Sequence, residues 1–308
     1  MRIATVDIGT NTILMLIADV ASDGSLSVVQ DEQVIARLGR GVDEHRQITK
    51  DAFNRVKQFL EEYQRIASSH RVEKIIAVGT SPLRDAANAA EFIDFIRRNT
   101  GLRIEVLSGH QEAEYTYQGA VSEFLVGDDQ QEFAVLDIGG GSTELSIGVD
   151  NNLVSRESFD IGCVRLTERF LKNSPPSSEG LEGALGEVST WTSTLHRISP
   201  QIRLLGVAGT VTTLAAMDLR LAKYDPERVG GHHLSIETIT RLTRELQPLS
   251  VSEMIRKFPQ IQEGRADIIL AGMLILMEFM KALGAGEILA SDRGLRYGIA
   301  YHEHLNRS

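Results

Sequence analysis

Asp137-Ile-Gly-Gly-Gly-Ser-Thr-Glu144 is the stretch on which the reading of this chain turns. Apolar residues 133–136 precede it and the apolar run 145–149 follows. That is the pattern of strand, tight turn and strand, with Asp137 closing the first strand. Three consecutive glycines remove every Cβ from the turn, so the backbone can take positive φ and come close to a ligand. Its N–H groups can then form a nest for anionic oxygens, and Ser142 and Thr143 add hydroxyl donors. Asp137 and Glu144 are carboxylates, which a phosphate repels unless a hard cation such as Mg²⁺ or a positioned water lies between. An ordinary hairpin turn needs only one or two glycines, which weighs against a turn without a ligand.

Residues 3–17 repeat the plan. An apolar strand leads into Asp7-Ile8-Gly9, then Thr10, Asn11 and Thr12, then another apolar strand. The two aspartates lie 130 residues apart. A duplicated unit of that size predicts two similar lobes facing each other across a cleft, with an Asp-Gly turn meeting a phosphate chain from each side. Alternation of strands and helices elsewhere predicts α/β lobes with ligands at the carboxyl ends of strands.

The chain has 308 residues, 42% hydrophobic and 24% charged, enough for two domains and a substantial core. A formal net charge of −10 argues against general nucleic-acid binding, which needs a basic face. It leaves room for an anionic small substrate, because local arginines can dominate the field in a cleft. Cys163 is the single cysteine, which excludes an intrachain disulfide and a metal–thiolate cluster and points to the reducing cytoplasm. The first apolar stretch contains Asp7 and has no basic leader, so no secretory signal is expected. The longest uncharged apolar run, residues 268–277, falls short of the roughly 20 residues a bilayer span needs. No membrane partner is therefore expected.

Several further residues carry two readings. Arg37 and Arg40, in the loop 34–41, either hold phosphates or decorate a solvated loop. Arg84 follows the strand 74–78 and a small-residue turn, 79–85. It either grips a phosphate bidentately or pairs with a carboxylate such as Asp85 or Glu91. Glu112 is either a first-turn acid suited to the dipole of a helix capped by Ser108, or a general base. Residues 209–213 form a third small-residue turn, after a strand at 204–208. The remaining pattern predicts an Asp23-Gly24 turn before a strand at 26–29, helices over 48–68 (capped by Thr49), 86–99 and 179–198, and an apolar helix opened by residues 264–267. His232 and His233 are adjacent and point in different directions, so a shared metal is not expected.

Taken together, these motifs resemble those of the exopolyphosphatase and guanosine-pentaphosphate phosphohydrolase (Ppx/GppA) family. They are Asp7-Ile-Gly-Thr-Asn-Thr12, Gly79-Thr-Ser-Pro-Leu-Arg84, Ser108-Gly-His-Gln-Glu112, Asp137 to Glu144, Gly206-Val-Ala-Gly209-Thr210, Arg265-Ala-Asp267 and Ser291-Asp-Arg-Gly-Leu-Arg296. The match runs in order along nearly the whole chain; the Asp-Gly turns alone would mark only the wider actin, sugar-kinase and heat-shock ATPase fold. The resemblance implies that duplicated actin-like, ribonuclease H-like α/β fold with an interlobe cleft, in its short two-domain form. The first lobe would span 1–124 plus a C-terminal helix at 294–308, and the second 125–293. It implies Mg²⁺-dependent removal by water of the terminal phosphate of inorganic polyphosphate. The alternative substrate is guanosine pentaphosphate, a nucleotide of the stringent response. Mn²⁺ as a substitute, an added monovalent cation and a homodimer are left open.

Carried over by motif, Glu112 is the general base and Arg84 holds the terminal phosphate. Gly139, Gly140, Gly141 and Ser142 cradle it, and Gly9, Thr10 and Asn11 form the facing loop. Gly209 and Thr210 form a loop deeper in the cleft. Asp137, Glu144 and Asp7 position the metal. The chain departs from the family at Gln111, where a first Glu is usual, at Leu14, where many relatives carry Arg or His, and at Arg293, where Gly is more usual. A kinase of the same fold and a non-catalytic polyphosphate or alarmone sensor are the competing classes. Retention of Glu112, Arg84 and Asp137 argues against the sensor.

Overall fold

The computed structural model describes residues 1–22, 24–125 and 130–305. Asp23 of the expected Asp23-Gly24 turn and the last three residues of the expected helix 294–308 lie outside the described residues, as do 126–129 of the expected second lobe. The chain divides into two compact units, one of residues 1–119 with 294–308 and one of residues 120–293.

The first unit contains β1 (Arg2–Ile8), β2 (Thr12–Val20), β3 (Leu26–Ile35), α1 (Val42–His45), α2 (Lys50–Ser69), β4 (Lys74–Gly79), α3 (Ser81–Asp85), α4 (Ala89–Thr100), β5 (Ile104–Val106) and all but the last two residues of α5 (Gly109–Val121). Its sheet has the order β3-β2-β1-β4-β5. The first three strands are antiparallel, and β4 and β5 run parallel to β1. Alternation along β1 sends Val6 and Ile8 into a core shared with Phe53 of α2 and Phe92 of α4, whose rings meet edge to face at 5.1 Å. Thr49 caps α2 by accepting the Ala52 N–H at 3.2 Å. The expected helix 86–99 starts three residues late, as α4 at Ala89, because Ala86 is extended at the end of the short α3.

The second unit contains β6 (Glu132–Ile138), β7 (Thr143–Val149), β8 (Asn152–Phe159), α6 (Cys163–Phe170), α7 (Ser178–Thr192), β9 (Arg203–Val207), α8 (Ala208–Asp218), α9 (Pro226–Val229), β10 (His233–Ser235), α10 (Ile236–Leu246), α11 (Val251–Lys257), α12 (Ile269–Leu283) and β11 (Glu287–Ala290). Its sheet order, β10-β11-β9-β6-β7-β8, repeats the first: an antiparallel β6-β7-β8 meander with β9 and β11 parallel beside β6. The duplication expected from the two Asp-Gly turns is thus a duplication of strand order in two α/β units. Helix α12 is apolar on nearly every side and is buried accordingly. It starts at Ile269, after a turn that holds Arg265. The chain closes with α13 (Leu295–Leu305), which packs Tyr297 and Ala300 on Ile3 and Leu16 of the first sheet. Among the described residues no helix is long and apolar enough to cross a membrane.

Candidate active site

The two Asp-Gly stretches fold as the same four-residue turn. The Gly9 N–H donates to the Thr12 carbonyl at 3.0 Å, and the Gly139 N–H donates to the Ser142 carbonyl at 3.0 Å. The flanking registers match too: Asp7 lies opposite Leu14, and Asp137 opposite Glu144.

In the second unit the start of α6 closes over the glycines. The N–H groups of Cys163 and Val164 donate to the carbonyls of Gly139 and Gly140 at 3.0 and 2.9 Å. The Arg165 N–H reaches the Gly140 carbonyl at 3.1 Å, and its Nε donates to the Gly141 carbonyl at 2.8 Å. A peptide is planar and trans, so each carbonyl turned toward α6 sends the next N–H the opposite way. The N–H groups of Gly140, Gly141 and Ser142 therefore point away from α6, and none donates to a backbone carbonyl among the described residues. Three such amides have the arrangement from which a backbone nest for an anion can be made. Gly162 makes the closure possible, because a Cβ there would stand 2.5 Å from the Gly140 carbonyl oxygen. Thr143 is not part of the nest: its hydroxyl donates to the Ile161 carbonyl at 2.6 Å in the core.

In the first unit the loop after β3 plays the part of α6. The Gly39 N–H donates to the Thr10 carbonyl at 2.9 Å, and those of Ala36 and Arg37 donate to Asn11 at 2.9 and 2.8 Å. The Thr10 hydroxyl shares a 2.9 Å hydrogen bond with Ser81 at the start of α3. Thr10 and Asn11 are both buried, so this turn is side chain where its twin is bare backbone.

Helix α5 places Glu112 in its first turn. Ser108 accepts the Gln111 N–H at 3.2 Å, and the Gln111 side chain accepts the Ser108 N–H at 3.0 Å. Gln111 thus completes a reciprocal cap, which explains how the first member of the doublet can be an amide. Glu112 accepts a hydrogen bond from Arg84 Nη1 at 2.5 Å, and the same nitrogen donates to the Leu107 carbonyl at 3.0 Å. The carboxylate that Arg84 pairs with is therefore Glu112, whereas Asp85 faces Arg46 and Glu91 faces Lys50. Arg84 Nε and Nη2 have no partner among the described residues. Glu112 is buried, and burial raises its pKa above the ordinary carboxylate value while the Arg84 charge opposes the rise.

Asp137 and Glu144 face each other across neighbouring antiparallel strands, so their side chains share one face of the sheet. Glu144 is buried and accepts a hydrogen bond from the Ser158 hydroxyl at 2.8 Å. Among the described residues no three His, Cys, Asp or Glu cluster as a complete metal cage. Two hard carboxylates without a cage suit Mg²⁺, which is commonly held by one or two carboxylates together with substrate phosphates and water. Asp7 occupies the corresponding place in the first unit, opposite an apolar Leu14.

Gly209 and Thr210 are not in a loop; they form the first turn of α8. Ala208, which opens that helix, has φ of 65°, a left-handed conformation rare outside glycine. The Thr210 side chain packs against α12, where a Cβ on Gly272 would stand 2.2 Å from its hydroxyl oxygen. The residue that the motif reading left without a role is Arg265. Its guanidinium lies directly on Gly209, where even a Cβ would overlap it, and Nη1 donates to the Thr213 hydroxyl at 3.4 Å. No carboxylate forms an ion pair with Arg265 among the described residues, and burial lowers its pKa. The signal was present in Arg265-Ala-Asp267, but its partner glycine lies 56 residues away in sequence.

A family model described as the Ppx/GppA phosphatase family matches residues 16–307, and the chain belongs to that family. It is 33% identical to Exopolyphosphatase 2 of Mycobacterium tuberculosis (strain ATCC 25618 / H37Rv), over 97% of each chain. It is 30% identical to the guanosine-5'-triphosphate,3'-diphosphate pyrophosphatase of Vibrio vulnificus (strain YJ016), over 97% of this chain and 58% of that one. Among solved structures, an exopolyphosphatase-like protein superposes with a TM-score of 0.91 at 31% identity, covering 99% of this chain and 98% of that one. The Aquifex aeolicus Ppx/GppA family member gives 0.83 at 31% identity, covering 100% and 99%.

Proposed function

We propose that this chain is a Mg²⁺-dependent exopolyphosphatase that removes the terminal phosphate of inorganic polyphosphate with water activated by Glu112. Membership of the Ppx/GppA family makes it a phosphoanhydride hydrolase. The observation that carries the residue-level reading is the buried Glu112 bonded to Arg84 at 2.5 Å. A carboxyl whose pKa is raised by burial is a stronger base once ionised, and the arginine beside it holds it in one orientation.

Glu112 takes a proton from water, the water oxygen attacks the terminal phosphorus, and the bridging P–O bond breaks to release the shortened chain. Such transfer needs positioning and charge neutralisation rather than a covalent nucleophile. Arg84 offers Nε and Nη2 to the transferred group. The Gly140, Gly141 and Ser142 amides bind its oxygens, with Gly139 setting the turn. Gly9, Thr10 and Asn11 present the matching turn of the first unit, and Gly209 and Thr210 contribute backbone beside the Arg265 guanidinium. Asp137 and Glu144, with Asp7 as the first unit's carboxylate, would hold Mg²⁺. When bound, that ion neutralises phosphate charge and polarises the bond to phosphorus. The cytoplasm suits an enzyme whose single cysteine is buried with its pKa pushed up to about 11.

The Vibrio relative favours one second reading, hydrolysis of guanosine pentaphosphate. Phosphate release from tripolyphosphate, long-chain polyphosphate and guanosine pentaphosphate, measured side by side with Mg²⁺, separates the two. Release from polyphosphate that disappears with EDTA and in Glu112→Gln is the expected result. Release from the nucleotide alone would overturn it.

A further inference from the structure

The first unit's turn is tied to the helix that carries Arg84, and the tie has no copy in the second unit. Asp7 lies opposite Val78 on a parallel strand, as Asp137 lies opposite Val207. Counting on from those pairs, Thr80 corresponds to Gly209 and Ser81 to Thr210, while Thr10 corresponds to Gly140. In the first unit the Ser81 and Thr10 hydroxyls share a 2.9 Å hydrogen bond, and both residues are buried. In the second unit that bond is impossible, because Gly140 has no side chain. The Thr210 side chain packs instead against Gly272 of α12.

Thr10 is held on its other sides. Its carbonyl accepts the Gly39 N–H at 2.9 Å, and a Cβ on Gly39 would stand 2.4 Å from the Thr10 methyl group. With the methyl packed there, the hydroxyl is fixed toward Ser81. On the helix side, the Thr80 N–H donates to the Ile8 carbonyl at 3.3 Å, and the Thr80 carbonyl accepts the N–H groups of Leu83 and Arg84 at 3.0 and 3.3 Å. Ser81 opens α3, and Arg84 follows within the same short helix of 5 residues, whose N-cap, Thr80, makes no side-chain cap hydrogen bond. A helix that short has no stability of its own and takes its direction from what its first residues hold. The far end of Arg84 is meanwhile fixed on the Leu107 carbonyl and on Glu112.

We infer that Ser81 is a positioning residue: through its bond to Thr10 it sets α3, and with it Arg84, against the first unit's turn. This rests on the function proposed above and adds the residue that places its arginine. Ser81 acts through Arg84 and not on the reacting atoms. A buried hydroxyl pair suits the role because a hydrogen bond is stronger away from water. The leverage is large, since a shift of about 1 Å in a group that grips substrate can cost about 10²-fold in rate.

The test is a double-mutant cycle on kcat/KM for tripolyphosphate, with wild type, Ser81→Ala, Arg84→Met and the double variant. Ser81→Ala alone should lower kcat/KM about three- to tenfold, the effect of one lost neutral hydrogen bond. With Arg84 already replaced, the same change should cost less than about twofold, because no arginine is left to misplace. An unchanged rate, or the same loss in both backgrounds, would overturn the assignment, since a merely stabilising bond acts whatever residue stands at position 84. The NMR resonance of the Arg84 Nε–H group, identified by its absence from Arg84→Met, should also move in Ser81→Ala. A signal left at its wild-type position rejects the positioning role. That signal needs no turnover, so it decides the role of Ser81 even if wild-type protein releases no phosphate from tripolyphosphate, which would be a failure of the proposed activity alone.

Discussion

Residues 9–12 and 139–142 form one turn built twice, with the same closing hydrogen bond at 3.0 Å and the same flanking register. They differ in what fills them. The second turn is glycine at Gly140 and Gly141, and its carbonyls are drawn onto α6, leaving amides directed outward. The first has Thr10 and Asn11 in those places, both buried, with the Thr10 hydroxyl on Ser81. The acid opposite the aspartate is also present once only: Glu144 faces Asp137, and Leu14 faces Asp7. Duplication supplied a scaffold that presents a turn beside a carboxylate. Substitution then made the copies differ, with outward-directed amides and a carboxylate pair in the second unit and the Glu112–Arg84 pair in the first.

The largest effect that can break this division is Glu112→Gln. It should cost about 10²–10⁴-fold in kcat while retaining polyphosphate binding, since only the positioned base is lost. A variant with full turnover would return Glu112 to a capping role. Next come the glycines that seat the two braces. A Cβ at Gly162 would press on the Gly140 backbone at 2.5 Å, whereas one at Gly39 would meet the Thr10 side chain at 2.4 Å. Backbone yields less than a side chain, so Gly162→Ala should cost about 1–3 kcal/mol and Gly39→Ala the lower end of that range. Chemical denaturation that gave the reverse order would contradict the bare-backbone account of the second turn.

The pH profile sharpens the role of the first unit. A base works deprotonated, so activity falls as pH drops through the raised pKa of Glu112. The Arg84 charge opposes that rise. Arg84→Met removes the opposition and should move the acid limb of the kcat profile to higher pH, beyond lowering the rate. An acid limb that stays put would mean that another group sets it. The smallest effect expected is that of Leu14→Glu, which copies the Asp137–Glu144 pair onto Asp7. Like charges opposite each other on neighbouring strands should destabilise by about 0.2–1 kcal/mol. Mg²⁺ should reduce the penalty if the copied pair can hold the ion, which thermal unfolding with and without the ion would read.

Much of this was legible in residue order because it depends on local backbone chemistry. Strand, glycine turn and strand follow from apolar periodicity and missing Cβ atoms. The 130-residue offset between the aspartates carried over into the sheets, down to the opposed pairs. Where local pattern misled, a long-range contact had intervened. Residues 209–213 read as a turn, but strained Ala208 lets α8 begin at the strand end and α12 takes the Thr210 side chain. Thr143 reads as a donor, but strand alternation sends its hydroxyl to Ile161.

Sequence alone determined that the chain is duplicated, that its turns suit an anion and that Glu112, Arg84 and Asp137 are the residues to test. The first two follow from residue type and spacing over a few positions, and the third from the resemblance of the motifs to a known family. Only the tertiary structure decided which partners those groups have. That Arg84 bonds to Glu112 rather than to Asp85 or Glu91, that Arg265 lies on Gly209, and that Arg55 donates to the Ala36 and Arg37 carbonyls are facts about residues brought together by packing. No spacing along the chain encodes them, because a guanidinium on a flexible stem takes whichever acceptor the fold sets within reach.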